Sequence, residues 1–200
     1  TGMGAACATG MGIDALWRAA RDGNSAVGRS EFERPGTNQI KIAAQLKSFS
    51  PETLIDAKVL PFCDRFAQLA IVAADEAMGQ AGLPREERQG PTAAVILGTG
   101  VGGITTTDDQ CYRAYTGTSR LNPLAVPRIM PSSATSHLSM RYGCTGPTFT
   151  ITSACASSAQ AIGIGTSMIR SGVVERVIVG GCESSMTALN IRAWELLRVL

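Results

Sequence analysis

The strongest helical pattern in the chain runs from Asp64 to about Ala81. Apolar side chains recur there at intervals of three and four residues, which places them on one face of a helix; they are Phe66, Leu69, Ala70, Ala73 and Ala77. Asp64 is a residue type that begins helices, and Gly82 followed by Pro84 is a typical end. We therefore predict an amphipathic helix over 64–81 with its apolar face turned to a core.

Three short apolar runs, at 92–97, 148–152 and 176–180, predict buried strands. Helical patterns lie around them, at 14–21 with Asp14 as the cap, at 137–142, at 155–170 and from 193 to 200. Residues 104–122 predict a helix plus a loop, 29–50 show no periodicity, and 1–4 (TGMG) suggest the end of a strand that is itself cut off. Apolar strands that alternate with helices are typical of an α/β fold, in which helices cover the sheet.

The composition narrows the class of protein. Two hundred residues with 44% hydrophobic and 17% charged side chains suit one domain or two small ones, and 22 glycines indicate many tight turns. The formal net charge of +2 comes without a polybasic run, so nucleic acid is not an expected partner. Residues 146–169 carry no charge, but hydroxyl side chains, Gln160 and Pro147 interrupt them, so we expect a buried strand and helix there and no membrane span.

The cysteines lie far apart in the chain, at Cys7, Cys63, Cys111, Cys144, Cys155 and Cys182. No pair has the spacing of a metal site and no signal peptide is evident, so we expect free thiols in a reducing cytoplasm, and no metal. The even count also permits disulfides.

Cys155 stands out because it lies between an apolar run and a helical run, in the small-residue stretch TSACASS. At a tight strand-to-helix turn a side chain projects towards the helix N-terminus, where free N–H groups and the helix dipole favour a thiolate and can hold an oxyanion. The helix that follows is small or apolar on all sides, which indicates a helix in the middle of a protein. These residues alone leave two interpretations open, a nucleophile or an inert buried thiol of an α/β core.

Five stretches resemble, in order, the β-ketoacyl-acyl carrier protein synthases, the condensing enzymes of fatty acid and polyketide synthesis. They are TGMG with GIDALWRAARDGNSAV, Asp64-Arg65-Phe66 with QLAIVAADEAMGQAGL, GTGVGG at 98–103, HLSMRYGCTGPTFTITSACASSAQAIG at 137–163, and RVIVGGCESSMT at 176–187. The resemblance implies a thiolase-like layered α-β-α-β-α fold. Residues 1–200 would form its N-terminal β-ketoacyl synthase domain, truncated at both ends.

In this family a cysteine thiolate takes an acyl group from a phosphopantetheine thioester, and malonyl-acyl carrier protein then loses carbon dioxide and condenses with it. The motif match implies this role for Cys155. The family's decarboxylating residues, two histidines or His and Asn together with a lysine, follow the cysteine, whereas the single histidine here, His137, precedes it. None of Lys41, Lys47 and Lys58 matches the catalytic lysine. We therefore expect a synthase of about twice this length, of which these residues alone would at most be acylated.

Two further positions match substrate-binding positions of the family. Val101 matches a residue at the mouth of the acyl pocket, and Ala125 matches one that reaches the partner's pocket in a homodimer; ordinary packing is the alternative for both. Glu183 matches a structural glutamate. The resemblance also implies no cofactor of the enzyme's own, acyl carrier protein as a partner, and a homodimer that pairs through the strand at 148–152.

Two other functions on the same fold stay open. A thiolase would use acyl-CoA and a second cysteine, but its nucleophile lies much nearer the N-terminus than position 155. A non-catalytic chain-length or scaffold partner of a ketosynthase typically lacks the cysteine. The residues do not distinguish a fatty acid pathway from a polyketide pathway.

Overall fold

The computed structural model describes residues 1–31, 39–117 and 120–199. The helices are α1 (Ile13–Asp22), α2 (Arg65–Gln80), α3 (Ile104–Thr116), α4 (Ala125–Ile129), α5 (Ser133–Tyr142), α6 (Ser157–Arg170) and α7 (Ala188–Leu196). The strands are β1 (Ala6–Cys7), β2 (Gly10–Met11), β3 (Val27–Arg29), β4 (Ile42–Ala44), β5 (Ala93–Gly98), β6 (Thr148–Ile151) and β7 (Arg176–Gly181). Short 3₁₀ turns cover Pro51–Thr53 and Leu60–Phe62.

A three-stranded parallel sheet in the order β6-β5-β7 forms the centre of the molecule. Gly98 at the end of β5 is the Cα partner of both Ile151 and Gly181, so the carboxyl ends of all three strands meet at one edge. Two antiparallel hairpins, β1–β2 and β3–β4, lie outside this sheet. The predicted α/β arrangement with three apolar strands is confirmed.

The strand β5 separates two apolar layers because all six of its residues are buried. Val95 and Leu97 belong to the main core with residues of α2 and α5. Alternate residues of a strand point to opposite faces, so Ala94 and Ile96 face the other side, against which α6 packs. Helices therefore cover both faces of the sheet at its central strand.

The predicted helix over 64–81 is confirmed as α2. The Asp64 side chain is fully buried and accepts the N–H of Phe66 at 3.3 Å and the N–H of Thr106 on α3 at 2.6 Å. It therefore caps α2 and also holds the first turn of α3. Of the predicted apolar face, Phe66 and Ala70 are buried, whereas Leu69, Ala73 and Ala77 are only partly buried. The rest of the buried face consists of Ala67, Ile71, Ala74 and Met78.

The predicted start of the first helix is wrong. Helix α1 begins after Gly12 without a side-chain cap, and Asp14 lies inside its first turn. Glu76 on α2 takes the place of a cap, because its carboxylate accepts the N–H of Ile13 at 2.8 Å and that of Ala5 at 2.9 Å.

Residues 1–4 form no strand, contrary to the prediction. Gly2 and Gly4 lie against the backbone of α2, where a Cβ atom would come within 1.8 Å of the carbonyl oxygens of Ala77 and Ala73. Close approach to a helix backbone, and not strand pairing, explains these two glycines.

The boundaries of two other helices also differ from the predicted ones. The helix expected at 137–142 begins earlier, at Ser133, and the one expected from 193 begins at Ala188, where the Thr187 side chain caps it by accepting the N–H of Asn190. The helix plus loop expected at 104–122 includes α3, and the aperiodic segment 29–50 contains β4. Residues 32–38 and 118–119, within those two segments, lie outside the described residues. The same holds for residue 200, the last residue of the helix predicted from 193.

Helix α6 is not buried on all sides within the described residues, contrary to the prediction. Only Ser157, Ala161 and Gly165 are buried, whereas Ile162 and Ile169 expose 48% and 43% of their surface. The reason is that the sheet covers one face of the helix and no described layer covers the other. Across the described ranges, the helices are too short or too polar to span a membrane.

Candidate active site

Cys155 lies in the turn that joins β6 to α6, at the carboxyl edge of the sheet. The residue before it, Ala154, has a φ of 48°. This left-handed conformation is uncommon for a residue with a side chain and is found often at functional turns. Cys155 itself is exposed and precedes the first residue of α6, Ser157, by two positions.

The Ser157 hydroxyl fastens this turn. It accepts the N–H of Ser153 at 2.7 Å and donates to the carbonyl oxygen of Ala154 at 2.7 Å. The carbonyl oxygen of Thr99, in the loop after β5, lies 3.3 Å from the same hydroxyl. Ser157 is 3% exposed, so these contacts are shielded from water and hold the cysteine turn against the end of β5.

Glycines allow the first turn of α6 to lie directly on the sheet. A Cβ atom at Gly98 would come 2.3 Å from the carbonyl carbon of Ser157, and one at Gly181 would come 2.6 Å from the Cβ of Ser158. Since α6 has no side-chain cap at its start, the positive end of its dipole remains available beside Cys155. Cys155 therefore lies at the positive end of the α6 dipole.

Cys155 and Val101 line one cavity of about 450 Å³. Its walls are formed by the loop after β5, the cysteine turn, the loop after β7, and Asn190 and Trp194 of α7. The structure therefore brings together two of the residues singled out from the sequence, a thiol and an apolar side chain near it. Val101 is 48% exposed in this chain.

Ala125 does not line this cavity. It is the first residue of α4, is partly buried, and is not among the residues that line the Cys155 cavity. Its predicted role concerns the pocket of a partner subunit, so its position within one chain leaves that role a prediction.

His137 is also separate from Cys155. It lines another cavity, together with Arg85, Arg88 and Arg141. Burial lowers the pKa of the His137 ring, and a hydrogen bond to the backbone of Phe62 acts in the opposite direction. The ring fastens α5 to the turn before α2 and is placed for a structural role.

Three of the other cysteines are poor nucleophiles because burial raises the pKa of their thiols. Burial raises the pKa of Cys182, which lines the same cavity as Cys155, to about 12, and that of Cys63 to about 11. Burial also raises the pKa of Cys144. All six cysteines are free thiols. Across the described ranges, no cluster of His, Cys, Asp and Glu could hold a metal ion.

Glu183 is the residue of this site that sequence reasoning treated only as structural. Its carboxylate accepts the N–H groups of Gly100 at 2.7 Å and of Val101 at 3.2 Å, and the hydroxyl of Thr99 at 3.2 Å. The run Gly-Gly-Cys-Glu after an apolar strand was the available signal. Its contacts could not be read from the sequence because they join positions 82 to 84 residues apart.

The fold and the site define an α/β protein with a cysteine at a strand-to-helix turn, held by a glycine-rich loop. A family model described as "Beta-ketoacyl synthase, N-terminal domain" matches residues 1–200, and the chain belongs to this family. The expected family membership is confirmed.

Known proteins resemble the chain over its whole length. Nodulation protein E of Rhizobium sp. (strain N33) is 37% identical over 202 residues, which cover 100% of this chain and 50% of that protein. The 3-oxoacyl-[acyl-carrier-protein] synthase 2 of Staphylococcus aureus is 31% identical over 201 residues, with the same coverage of 100% and 50%. The chain spans about half the length of these relatives.

A solved structure described as the ishigamide ketosynthase/chain length factor superposes with a TM-score of 0.91 at 22% identity, over 100% of this chain and 50% of that one. At 22% identity, this structural likeness is evidence for the fold alone. The fold of this chain is that of the N-terminal half of a thiolase-fold ketosynthase, as the resemblance implied.

Proposed function

We propose that this chain carries the acylation site of a β-ketoacyl-acyl carrier protein synthase, with Cys155 as the nucleophile. The observation that carries the proposal is the position of Cys155. It is an exposed thiol at the uncapped start of α6, in a cavity of about 450 Å³ that it shares with Val101. An inert core thiol would instead be buried, as Cys63 and Cys144 are.

In the first step, the Cys155 thiolate attacks the carbonyl carbon of an acyl thioester. The bond from that carbon to the phosphopantetheine sulfur breaks, and the departing thiolate takes up a proton. Malonyl-acyl carrier protein then loses carbon dioxide, and the resulting enolate carbon attacks the acyl-cysteine. This releases the Cys155 thiolate and a β-ketoacyl product that is two carbons longer. The covalent intermediate separates acyl transfer from carbon–carbon bond formation.

These 200 residues supply the first step. The helix dipole and the N–H groups at the start of α6 stabilise negative charge on sulfur and oxygen at the turn. The only histidine, His137, lines a different cavity, so no imidazole is placed to stabilise the enolate. The reaction needs no cofactor of the enzyme's own. The 200 residues alone are expected to form acyl-cysteine and no β-ketoacyl product.

Site-resolved mass spectrometry tests the proposal. After incubation with a short acyl thioester at pH 8, we expect the acyl group on Cys155 and not on Cys182, Cys63 or Cys144. At that pH a thiol with a pKa of about 12, such as Cys182, is ionised to about one part in ten thousand. Label on Cys182 should therefore appear only as the pH is raised towards its pKa. An unmodified Cys155 under conditions that modify the exposed Cys111 would overturn the proposal.

The proposal also includes acyl carrier protein as the partner and the cytoplasm as the compartment. The name of the Staphylococcus aureus relative, 3-oxoacyl-[acyl-carrier-protein] synthase, supports acyl carrier protein as the partner that delivers the acyl group. Six free thiols support a reducing, cytoplasmic location. A chain length factor, which forms part of the ishigamide structure, is the alternative, and the accessible Cys155 argues against it.

We further propose a homodimer that pairs through β6, which is an edge strand of the described sheet. The carbonyl oxygens of Pro147 and Ile151 accept the N–H groups of Val95 in β5 and of Thr99 just after it. By the two-residue alternation of a strand, the N–H groups of Thr148 and Thr150 then point away from β5. Phe149 is 38% exposed at the same edge. Ala125 would reach the partner's pocket in such a dimer.

The variant Thr148→Pro is expected to weaken the dimer at least about tenfold, because proline removes one outward N–H group and places its ring at the paired edge. Sedimentation of the intact protein at several concentrations measures the change. Thr148→Val keeps the N–H group and should remain dimeric. A proline variant that is as dimeric as its valine control would contradict pairing through β6.

A further inference from the structure

We propose that Glu183 is a positioning residue for substrate, which holds the loop after β5 so that Val101 forms the mouth of the Cys155 cavity. The inference rests on the proposed function, since it concerns which acyl groups reach the same thiol. It goes beyond a general structural role because it assigns to Glu183 an effect on acyl-chain selection that is separate from folding.

One carboxylate oxygen of Glu183 makes most of the contacts. It accepts the N–H of Gly100 at 2.7 Å, the N–H of Val101 at 3.2 Å and the hydroxyl of Thr99 at 3.2 Å. Two consecutive backbone N–H groups that converge on one oxygen form a small anion-binding concavity. Hydrogen bonds to an ionised acceptor are about twice as strong as neutral ones, so this contact is a firm one for a loop.

Other hydrogen bonds hold the two ends of the loop, where the N–H of Thr99 donates to the carbonyl oxygen of Ile151 at 3.1 Å and that of Gly103 to the carbonyl oxygen of Ile129 at 3.3 Å. The Thr99 hydroxyl, which donates to Glu183, also accepts the N–H of Gly102 at 3.1 Å. Thr99, Gly100, Val101 and Gly102 are thus linked to the carboxylate either directly or through one hydroxyl. Removal of the carboxylate would leave the N–H groups of Gly100 and Val101 without this acceptor and free the Val101 side chain to move.

The glycine at position 100 fits this interpretation. A Cβ atom there would lie 3.0 Å from the same carboxylate oxygen, which is closer than such contacts normally are. The chain therefore has no side chain at the place where the carboxylate approaches the loop. This contact can be disturbed from either side, by changing Glu183 or by changing Gly100.

Glu183 lines the Cys155 cavity, but its hydrogen bonds go to the loop after β5 and to Ser184. The cysteine turn is fastened by Ser157, through contacts with Ser153 and Ala154 that do not involve Glu183. The loop meets the cysteine segment at Thr99, whose carbonyl oxygen lies 3.3 Å from the Ser157 hydroxyl and whose N–H donates to the carbonyl oxygen of Ile151 at 3.1 Å. We therefore expect loss of Glu183 to change how a long acyl chain passes Val101, and to leave a small reagent free to reach Cys155.

The experiment compares Glu183→Ala and Glu183→Gln in the intact protein. Three rates are measured at Cys155: acylation by an acetyl thioester, acylation by a dodecanoyl thioester, and alkylation by iodoacetamide. For Glu183→Ala we expect acylation by the long chain to fall about tenfold, mainly through KM, while acetyl transfer and alkylation change by less than about threefold. Glu183→Gln should be intermediate, because its amide oxygen still accepts both N–H groups.

Glu175→Ala is the matched control. Glu175 stands just before β7 and pairs with Thr92 at 3.2 Å, as Glu183 stands just after β7 and pairs with Thr99 at 3.2 Å. It lies at the opposite end of the same strands, away from Cys155, and should leave all three rates unchanged.

The possible results test the proposed function and the positioning role of Glu183 separately. If the parent protein shows neither acylation nor alkylation at Cys155, the proposed function fails. If the parent reacts and Glu183→Ala keeps the parent's chain-length dependence, or loses all three rates together, the positioning role fails. Should Glu183→Ala not fold, as judged by its thermal unfolding, Gly100→Ala and Glu183→Gln decide in its place, with the same expected direction.

Discussion

Replacement of Cys155 by alanine in the intact protein is expected to lower the formation of β-ketoacyl product by at least about a thousandfold. The reason is that the proposed reaction passes through a covalent bond to this sulfur, and loss of a nucleophile that forms the intermediate removes nearly all catalysis. The measurement is product formation from an acyl thioester and malonyl-acyl carrier protein, together with the mass of the protein after incubation with the acyl thioester alone.

Cys111→Ala provides the control for this prediction, because Cys111 on α3 is also an exposed thiol and does not line the cavity. It should retain both acylation and product formation. Cys182 lines the cavity, but its pKa of about 12 keeps it protonated at neutral pH, so it is not expected to take over from Cys155. Parent-like product formation by Cys155→Ala would mean that the nucleophile lies elsewhere.

The sequence predicts those parts of the fold that depend on local patterns. The spacing of apolar residues and the aspartate at position 64 suffice to predict α2, because the cap and the buried face are both properties of one segment. The three strands of the central sheet follow from short apolar runs in the same way. The small neighbours of Cys155 predict its place between a strand and a helix, whereas its role as a nucleophile comes from the resemblance and stays a prediction.

Features that depend on distant segments could not be predicted from a local pattern. The local pattern predicts Asp14 as the cap of α1, but the group that accepts the first N–H of the helix is Glu76, 63 residues further along the chain. The composition of helix α6 predicts a buried helix, whereas its burial depends on what covers its outer face.

The geometry of the site likewise depends partly on local residues and partly on distant segments. Ala154 adopts a φ of 48°, which its residue type does not suggest, because the Ser157 hydroxyl and the end of β5 impose the turn. The proximity of Glu183 to Val101 depends on the pairing of β5 with β7 in register, which brings Gly98 opposite Gly181. Such contacts arise from sheet order, which no local pattern of residues predicts.

The glycine at position 98 leads to the second large prediction, which concerns the packing beneath the site. Gly98→Ala is expected to lower the free energy of unfolding by about 2–4 kcal/mol and to slow acylation of Cys155 by about tenfold or more. The added methyl group would lie 2.3 Å from the carbonyl carbon and 2.4 Å from the carbonyl oxygen of Ser157, and 2.5 Å from the nitrogen of Ser158. All three are backbone atoms, so no side chain can rotate away.

The strand cannot easily yield either, because Gly98 is paired with β6 on one side and with β7 on the other. Relief must therefore come from a shift of the first turn of α6, which carries the Ser157 contact and with it the cysteine turn. Gly79→Ala is the control: Gly79 lies within α2, an added methyl group there meets nothing within 4 Å, and helix propensity predicts a gain of about 0.5–1 kcal/mol. Chemical denaturation and site-resolved acylation of both variants measure the two effects. If Gly98→Ala matches the parent in stability and in the acylation rate, the close packing of α6 on β5 does not hold Cys155 in place.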